Sequence, residues 1–178
     1  ARNISLGVSS AVIAGGMESM SQAPYYLPSM RPGARLGHTA ALDAIVQDGL
    51  WDPYHNFHMC SAAELCAKEC KISREDQDKF AIESYRRATA AATGGWFKNE
   101  IVPIRIRQGK AETEVSLDEE PTKVKLDKIP DLKPVFQKDG TVTAANASSI
   151  NDGAACMLLA CESTVKKLGL SPVARIIA

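Results

Sequence analysis

Apolar and charged residues are separated along this chain, and that separation limits the folds it can adopt. Both ends are apolar and rich in small residues, whereas the middle, roughly residues 25–140, is charged and irregular. Each end also alternates between strand-like and helix-like patterns, which is typical of α/β proteins. We therefore expect an α/β core domain that is interrupted by an inserted, more polar subdomain.

The overall composition limits the classes of partner. The 178 residues are 45% hydrophobic, and 21 Lys and Arg balance 21 Asp and Glu. This length can bury a sizeable core, and a neutral chain gives no electrostatic reason to expect nucleic acid or an anionic membrane. No apolar run approaches the roughly 20 residues that span a bilayer. The N-terminal residues lack a signal-peptide pattern. Because the first residue is Ala rather than Met and the opening segment runs straight into a predicted strand, we expect the chain to begin within a longer protein.

The cysteines do not form a recognisable metal or disulfide pattern. Their number is odd, at five, and no CxxC pair occurs. Cys66 and Cys70 lie one helical turn apart, without the His or second pair that a zinc site needs. We expect small buried thiols in a reducing compartment.

Periodicity and turn residues predict the order of helices and strands. Prolines and glycines predict an irregular loop at 24–37, and prolines again predict an extended segment at 121–140. Ser73 is the expected N-cap of the longest helix, and Gly94 its end. The predicted strands are 8–14, 101–107, 113–120, 154–160 and a further one from Pro172; the predicted helices are 40–48, 59–70, 73–93 and 162–168.

Several patterns are candidates for chemistry, although the residues alone favour structural roles. GGMESMS at 15–21 has neither dinucleotide-binding nor P-loop spacing, and its Glu18 is a candidate buried carboxylate. His58 before a helix is more often structural than functional. Tyr85 falls on an apolar helix face, where core packing is expected. The residues Asn151 to Gly153 predict a turn into the last apolar strand.

Two segments present groups that suit charged ligands. The run 121–134 carries Lys123, Lys125, Lys128 and Lys133, which form either a solvated face or a contact with phosphates. In TAANAS, at 143–148, alanines leave backbone carbonyls uncrowded, as a monovalent cation requires.

Three strings taken together resemble the thiolase family: GGMESMS at 15–21, His58-Met59, and TVTAANASSINDGAA at 141–155. The nearest resemblance is to acetyl-CoA acetyltransferases of the mitochondrial, potassium-responsive type, and it covers nearly the whole chain. It implies a partial thiolase-like layered α/β fold whose N-terminal domain is interrupted by a loop domain. The implied domains are the later part of the N-terminal domain at 1–25, the coenzyme A-binding loop domain at 26–140, a return to the N-terminal domain at 141–170, and the start of the C-terminal domain at 171–178.

The same resemblance implies three groups of site residues. The implied coenzyme A contacts are Lys123, Val124, Lys125, Lys128 and Ser148. His58 and Met59 would line the acyl pocket, where Cys60 replaces the usual family glycine. The implied potassium ligands are Tyr85, Ala144, Ala145 and Ala147.

The implied reaction is Claisen condensation of two acetyl-CoA, or thiolysis of acetoacetyl-CoA, through a cysteine thioester. The family's catalytic cysteines and histidine have no counterpart here, so the resemblance implies an inactive chain by itself and an acyltransferase in the parent protein. The alternatives are a non-catalytic coenzyme A-binding or assembly module and a longer-chain 3-ketoacyl-CoA thiolase.

The resemblance also implies the cofactors, the oligomeric state and the cellular location. Coenzyme A thioesters would be the substrates and potassium the only cofactor. The parent would be a homodimer or homotetramer in fatty acid and ketone body metabolism, without nucleic acid or membrane partners. A mitochondrial location is implied first, and a cytoplasmic one second.

Overall fold

A computed structural model describes residues 1–109 and 111–177. These residues form two compact units, one of residues 1–24 with those from 150 onward, the other of residues 25–149. The second unit thus includes 141–149, which the sequence analysis assigned to the returning domain. That assignment concerns the domains of a whole thiolase and stays a prediction.

The helices and strands are mostly short. The strands are β1 (Ala11–Ser19), β2 (Tyr25–Tyr26), β3 (Leu42–Asp43), β4 (Trp51–Asp52), β5 (Phe57–His58), β6 (Ile104–Gln108), β7 (Ala111–Val115) and β8 (Asp152–Ala160). The α-helices are α1 (Arg2–Ser5), α2 (Met59–Glu69), α3 (Arg74–Thr93), α4 (Glu120–Lys123) and α5 (Glu162–Leu168). No helix in the described part of the chain is long and apolar enough to cross a membrane.

In the first unit, β1 and β8 form an antiparallel pair in which Ala11 lies opposite Ala160 and Ser19 opposite Asp152. The predicted strand 8–14 is therefore displaced, because the observed strand runs on through the glycines. A Cβ on Gly15 would lie 2.4 Å from the Ala155 carbonyl oxygen, so only glycine permits this close approach.

The start of β8 corrects a second prediction. Asp152 and Gly153 belong to the strand and do not form the predicted turn. Asp152 instead accepts hydrogen bonds from the Ser21 amide at 2.9 Å and the Ser21 hydroxyl at 2.6 Å. These bonds lower the pKa of Asp152, with the Ser21 hydroxyl as the largest cause. The carboxylate thus joins the residues that follow β1 to the start of β8.

In the second unit, α2 and α3 confirm the predicted helices. The Ser73 side chain accepts a hydrogen bond from the Asp76 amide, and α3 ends before Gly94. The buried apolar residues of this unit are few and mostly small: Ala44, Ala67, Ala81, Ala91, Ile129, Val142 and Ala145. Phe80 on α3 is 78% exposed.

The proline-containing segment after residue 120 was predicted to be extended and is not. Pro121 lies in the first turn of α4, where its fixed φ suits a helix and its missing N–H is no loss. A 3₁₀-helix follows at Leu126–Asp131 and includes Pro130. Lys123 and Lys128 therefore lie in helical turns, whereas Lys125 lies between them.

Three other predictions change. A π-helix at Ile45–Leu50 stands in place of the helix predicted at 40–48. The strand predicted at 113–120 ends at Val115. No strand forms among the described residues from 172 to 177. The predicted helix at 162–168 is confirmed, and Gly169 ends it with a φ of 62°.

Candidate functional site

His58 and Met59 lie where β5 passes into α2. The Nδ1 atom of His58 accepts a hydrogen bond from the Cys60 amide at 3.1 Å, so the ring is the N-cap of the helix. The same ring stacks on Phe136, with centroids 5.4 Å apart. Met59 remains 39% exposed. His58 is thus held in a fixed orientation, while the Met59 thioether is accessible to an apolar ligand.

The Cys60 thiol stays protonated near neutral pH. Burial raises its pKa first, and the Glu64 carboxylate raises it further. A protonated, half-buried thiol is a poor nucleophile. Cys60 therefore shapes the start of α2 rather than supplying reactive chemistry.

Lys123 and Lys128 are exposed and already paired with carboxylates. The Lys123 ammonium lies 2.6 Å from a Glu119 carboxylate oxygen, and this hydrogen bond raises the Lys123 pKa. Lys128 lies 3.9 Å from Asp131. Such exposed pairs contribute about 0–1 kcal/mol, so a phosphate can replace the carboxylates at little cost.

Val124 and Lys125 connect these two lysines. Val124 is half-buried and anchors the segment, whereas Lys125 is exposed. Within the part of the chain that the structure describes, Lys125 makes no ion pair with a carboxylate. The exposed ammonium groups of Lys123 and Lys128 lie on two successive helical turns, and Lys125 lies between those turns.

The segment 141–147 is fixed by a buried carboxylate on α2. Glu64 is only 8% exposed. Its oxygens accept hydrogen bonds from the Thr141 amide at 2.8 and 3.0 Å, the Thr141 hydroxyl at 2.9 Å and the Val142 amide at 2.8 Å. Burial alone would raise the pKa of this carboxyl, but together these hydrogen bonds outweigh burial and lower it. Glu64 is therefore ionised at neutral pH.

Gly140 leaves room for the Glu64 carboxylate. A Cβ at this position would lie 2.4 Å from Glu64 Oε1 and 3.0 Å from the Gln137 carbonyl oxygen. The carboxylate cannot move aside without losing its hydrogen bonds. Glycine is thus required here by close approach rather than by its φ.

A second carboxylate, on α3, contacts the same segment. Asp78 is 5% exposed and accepts from Arg74 Nε at 2.8 Å and from Asn146 Nδ2 at 3.4 Å. Asn146 Nδ2 also donates to the Thr141 carbonyl at 3.0 Å. Arg74 donates from Nη2 to the Leu132 carbonyl at 2.8 Å. One helix therefore anchors both the 141–147 segment and the end of the lysine segment.

Within the described residues, the alanine carbonyls of the 141–147 segment do not accept the hydrogen bonds that fix it. In the described part of the chain, the hydrogen bonds that fix the segment use the carbonyls of Thr141, Val142 and Thr143. They do not use those of Ala144, Ala145 and Ala147. Neutral carbonyl oxygens are the donors that a monovalent cation prefers. The donor set therefore fits potassium.

Tyr85 and Ser148 complete the predicted ligands. Tyr85 is half-buried and lies seven residues after Asp78 on α3, which is two turns along the same helix face. Ser148 is exposed directly after the alanines. All the predicted site residues therefore belong to the unit of residues 25–149.

The first family string has a structural role. Glu18 is exposed on β1, so the expectation of a buried carboxylate is wrong. Gly15 provides the close approach of β1 to β8. The contribution of this string is the strand pair rather than a ligand contact.

The cysteines differ from the expected buried thiols. All five are unbridged, and Cys66, Cys70 and Cys156 are exposed. Hydrogen bonds, first from the Ser163 hydroxyl and next from Thr164, lower the pKa of Cys161 to about 7. No cluster of three or more His, Cys, Asp or Glu able to hold a metal occurs among the described residues.

Comparison with known proteins decides the family. Residues 1–163 match the family model described as the N-terminal domain of thiolase. This chain belongs to the thiolase family. The fold confirms the predicted thiolase-like α/β architecture, because a human mitochondrial 3-ketoacyl-CoA thiolase superposes on it with a TM-score of 0.86 at 39% identity. That superposition covers 96% of this chain and 44% of the human one.

Two curated thiolase relatives are named acetyl-CoA acetyltransferases. A probable acetyl-CoA acetyltransferase of Dictyostelium discoideum is 53% identical and aligns with 99% of this chain and 43% of its own length. A cytosolic acetyl-CoA acetyltransferase of Gibberella zeae is 46% identical over 99% of this chain and 45% of its own. The chain thus spans less than half the length of these relatives.

Glu64 and Asp78, the carboxylates that hold the 141–147 segment, were not singled out from the sequence. A signal was present, because Glu64 shares its face of α2 with Cys60 and Ala67, and Asp78 shares a face of α3 with Ala81. An acidic residue on an otherwise small and apolar helix face indicates a buried partner.

Proposed function

We propose that this chain supplies the coenzyme A and potassium sites of an acetyl-CoA C-acetyltransferase. The enzyme would interconvert two acetyl-CoA with acetoacetyl-CoA and coenzyme A. The observation that carries the proposal is the thiolase match over residues 1–163, supported by relatives that bear this enzyme name. Because the chain spans less than half of those relatives, the cysteine thioester chemistry is assigned to the whole protein.

Each part of the site has a distinct task in this proposal. Lys123, Lys125 and Lys128 bind the phosphates of coenzyme A as point charges, with Val124 anchoring their segment. The Ser148 hydroxyl contacts the pantetheine arm, and Met59 with His58 lines the acyl pocket. These residues bind and orient the thioester, which places its acyl group for attack.

Potassium would be held by the carbonyls of Ala144, Ala145 and Ala147 and by Tyr85. When bound, it supplies positive charge that orders this segment beside the pantetheine-binding Ser148. The freedom of the three carbonyls from the surrounding hydrogen bonds supports this assignment.

A longer-chain 3-ketoacyl-CoA thiolase is the second candidate, because one similar solved structure is named a 3-ketoacyl-CoA thiolase. Thiolysis rates with acetoacetyl-CoA and with a long-chain 3-ketoacyl-CoA would separate the two. A coenzyme A-binding module without catalysis is the third, and the absence of thiolysis by the complete gene product would favour it.

Assembly and location are also proposals. A homodimer or homotetramer is the assembly we propose by analogy with the family. The similar proteins include both a mitochondrial and a cytosolic one. We place the mitochondrion first and the cytoplasm second, and imaging of the tagged gene product would decide between them.

The lysine segment gives the direct test. Calorimetric titration of the protein with coenzyme A should show about 10-fold weaker binding in Lys123→Ala/Lys128→Ala, since two charge-assisted contacts are lost. The matched control is Lys166→Ala/Lys167→Ala, which removes two lysines from α5, one of them also paired with a glutamate. Equal affinities in both double variants would contradict the assignment of the phosphates to this segment.

A further inference from the structure

The buried carboxylate of Glu64 holds the first residues of the segment that carries the proposed cation ligands. We propose that Glu64 is a positioning residue for the carbonyls of Ala144, Ala145 and Ala147, and that it thereby sets the affinity for potassium. The inference rests on the proposed function, because it presumes that these carbonyls bind a cation.

The buried Glu64 carboxylate has unusual surroundings, because its partners are uncharged. A buried carboxylate is costly unless it is paired or fully hydrogen-bonded. Within the described residues Glu64 forms no ion pair with a cation, and amide and hydroxyl donors of Thr141 and Val142 surround it instead. Its burial is therefore stable only while residues 141 and 142 keep this one arrangement.

Gly140 and Asn146 favour the same arrangement of residues 141 and 142. Gly140 has no side chain where a Cβ would meet Glu64 Oε1. The Asn146 side chain also bonds to the backbone of its own segment. Its Oδ1 accepts a hydrogen bond from the Thr143 amide at 2.7 Å, and its Nδ2 donates one to the Thr141 carbonyl at 3.0 Å. The position of Thr141 thus fixes the backbone positions of the alanines that follow it.

A cation site needs ligand atoms that are held in fixed positions. Ligand atoms must be held within about 0.5 Å of the productive geometry by the residues behind them. The methyl side chains of the three alanines form no hydrogen bonds that could fix the segment from within. Glu64 on α2 and Asp78 on α3 provide the external hold, and Glu64 makes the shorter and more numerous contacts.

The test uses the complete gene product and two measurements. Thiolysis of acetoacetyl-CoA is followed as potassium chloride is raised at constant ionic strength, and amide hydrogen exchange is followed across residues 140–148. In Glu64→Gln we expect the half-saturating potassium concentration to rise by about 10-fold to 100-fold, the usual cost of losing an outer-shell partner. The value of kcat at saturating potassium should stay near that of the wild type, and exchange at 141 and 142 should quicken.

Two further variants sharpen the result. Glu69→Gln removes the same charge from an exposed position of the same helix and should match the wild type in both measurements. Gly140→Ala keeps the Glu64 charge but displaces the carboxylate, and should shift the potassium response in the same direction. It also keeps the test decisive if Glu64→Gln does not fold.

The outcomes separate the two proposals. Faster exchange with an unchanged potassium response would make Glu64 a purely structural residue and overturn the inference alone. A wild-type protein that shows thiolysis or coenzyme A binding without any potassium response would contradict the proposed cation site, and the positioning role with it.

Discussion

At the scale of single residues, the site depends on carboxylates whose charges are satisfied by uncharged donors or by one arginine. Glu64 lies among amide and hydroxyl groups, and Asp78 lies between Arg74 and Asn146. Hydrogen bonds to charged groups contribute about 1.5–3 kcal/mol each in favourable surroundings. These two carboxylates therefore hold the loop more firmly than the surface ion pairs of the lysine segment hold theirs.

The Glu64 carboxylate predicts acid sensitivity. Its folded pKa is lowered below the ordinary value, because the hydrogen bonds from Val142 and Thr141 outweigh the opposing effect of burial. The unfolded chain therefore takes up the proton first. The contribution of Glu64 to stability is fully present above about pH 4.3, the ordinary glutamate pKa, and is lost as the pH falls through the lower folded pKa.

Urea unfolding between about pH 6 and about pH 3 measures this contribution. We expect the free energy of unfolding of the wild type to fall more steeply than that of Glu64→Gln over this range, because only the wild type loses the contribution of the ionised Glu64. Glu69→Gln should keep the pH dependence of the wild type. Parallel curves for the wild type and Glu64→Gln would show that Glu64 has no lowered pKa.

At the scale of helices and strands, α3 is the element that the site needs most. It carries Tyr85 and Asp78, and through Arg74 it also holds the carbonyls of Ile129 and Leu132 after the lysine turns. Its beginning is fixed by Ser73, whose hydroxyl accepts from the Asp76 amide at 3.1 Å and donates to the Asp76 carboxylate at 2.6 Å. The cap thus sets the helix turn on which Arg74 and Asp78 lie.

Loss of this cap should destabilise the protein measurably. We expect Ser73→Ala to lower the free energy of unfolding by about 1 kcal/mol, because one amide of the first helical turn loses its acceptor. Ser84→Ala, at an exposed position within the same helix, should be neutral or slightly stabilising because alanine favours helices. Equal effects of the two substitutions in urea unfolding would argue against the cap.

At the scale of the whole molecule, the two units differ in how well they cover apolar surface. The β1–β8 pair exposes 76% of Ile13, 77% of Met17, 64% of Met157 and 57% of Leu158. Ile13 and Leu158 lie opposite each other in the pair, so they form a contiguous apolar patch. Such patches, together with open strand edges, favour association.

The 178-residue chain alone should therefore self-associate. We expect light scattering to show an apparent mass that rises with protein concentration, and Ile13→Lys/Met17→Lys to reduce that rise by removing apolar surface. Lys substitutions at Phe80 and Trp96, which are exposed in the other unit, serve as the control. A constant monomer mass for the unmodified chain would contradict this prediction.

Much of the local structure could be predicted from the sequence. The helices α2, α3 and α5 have local signals, namely the Ser73 cap and the Gly94 and Gly169 ends, which act within a few residues. The family could also be predicted, because its strings are local as well. The sites for coenzyme A and potassium remain proposals whose residues all lie in one unit of the fold.

Caps, turns and motif strings depend on neighbours in the chain, so the ends of α2, α3 and α5 and the family of this protein could be predicted from the sequence. The tertiary structure was needed to show that β1 continues through Gly15, that Lys123 and Lys128 lie in helical turns, and that Glu64 is buried. The physical reason is that such features depend on distant partners: Glu64 and Thr141 are 77 residues apart. The sequence alone does not distinguish a buried carboxylate from a solvent-exposed one when its hydrogen-bond donors are distant in the chain.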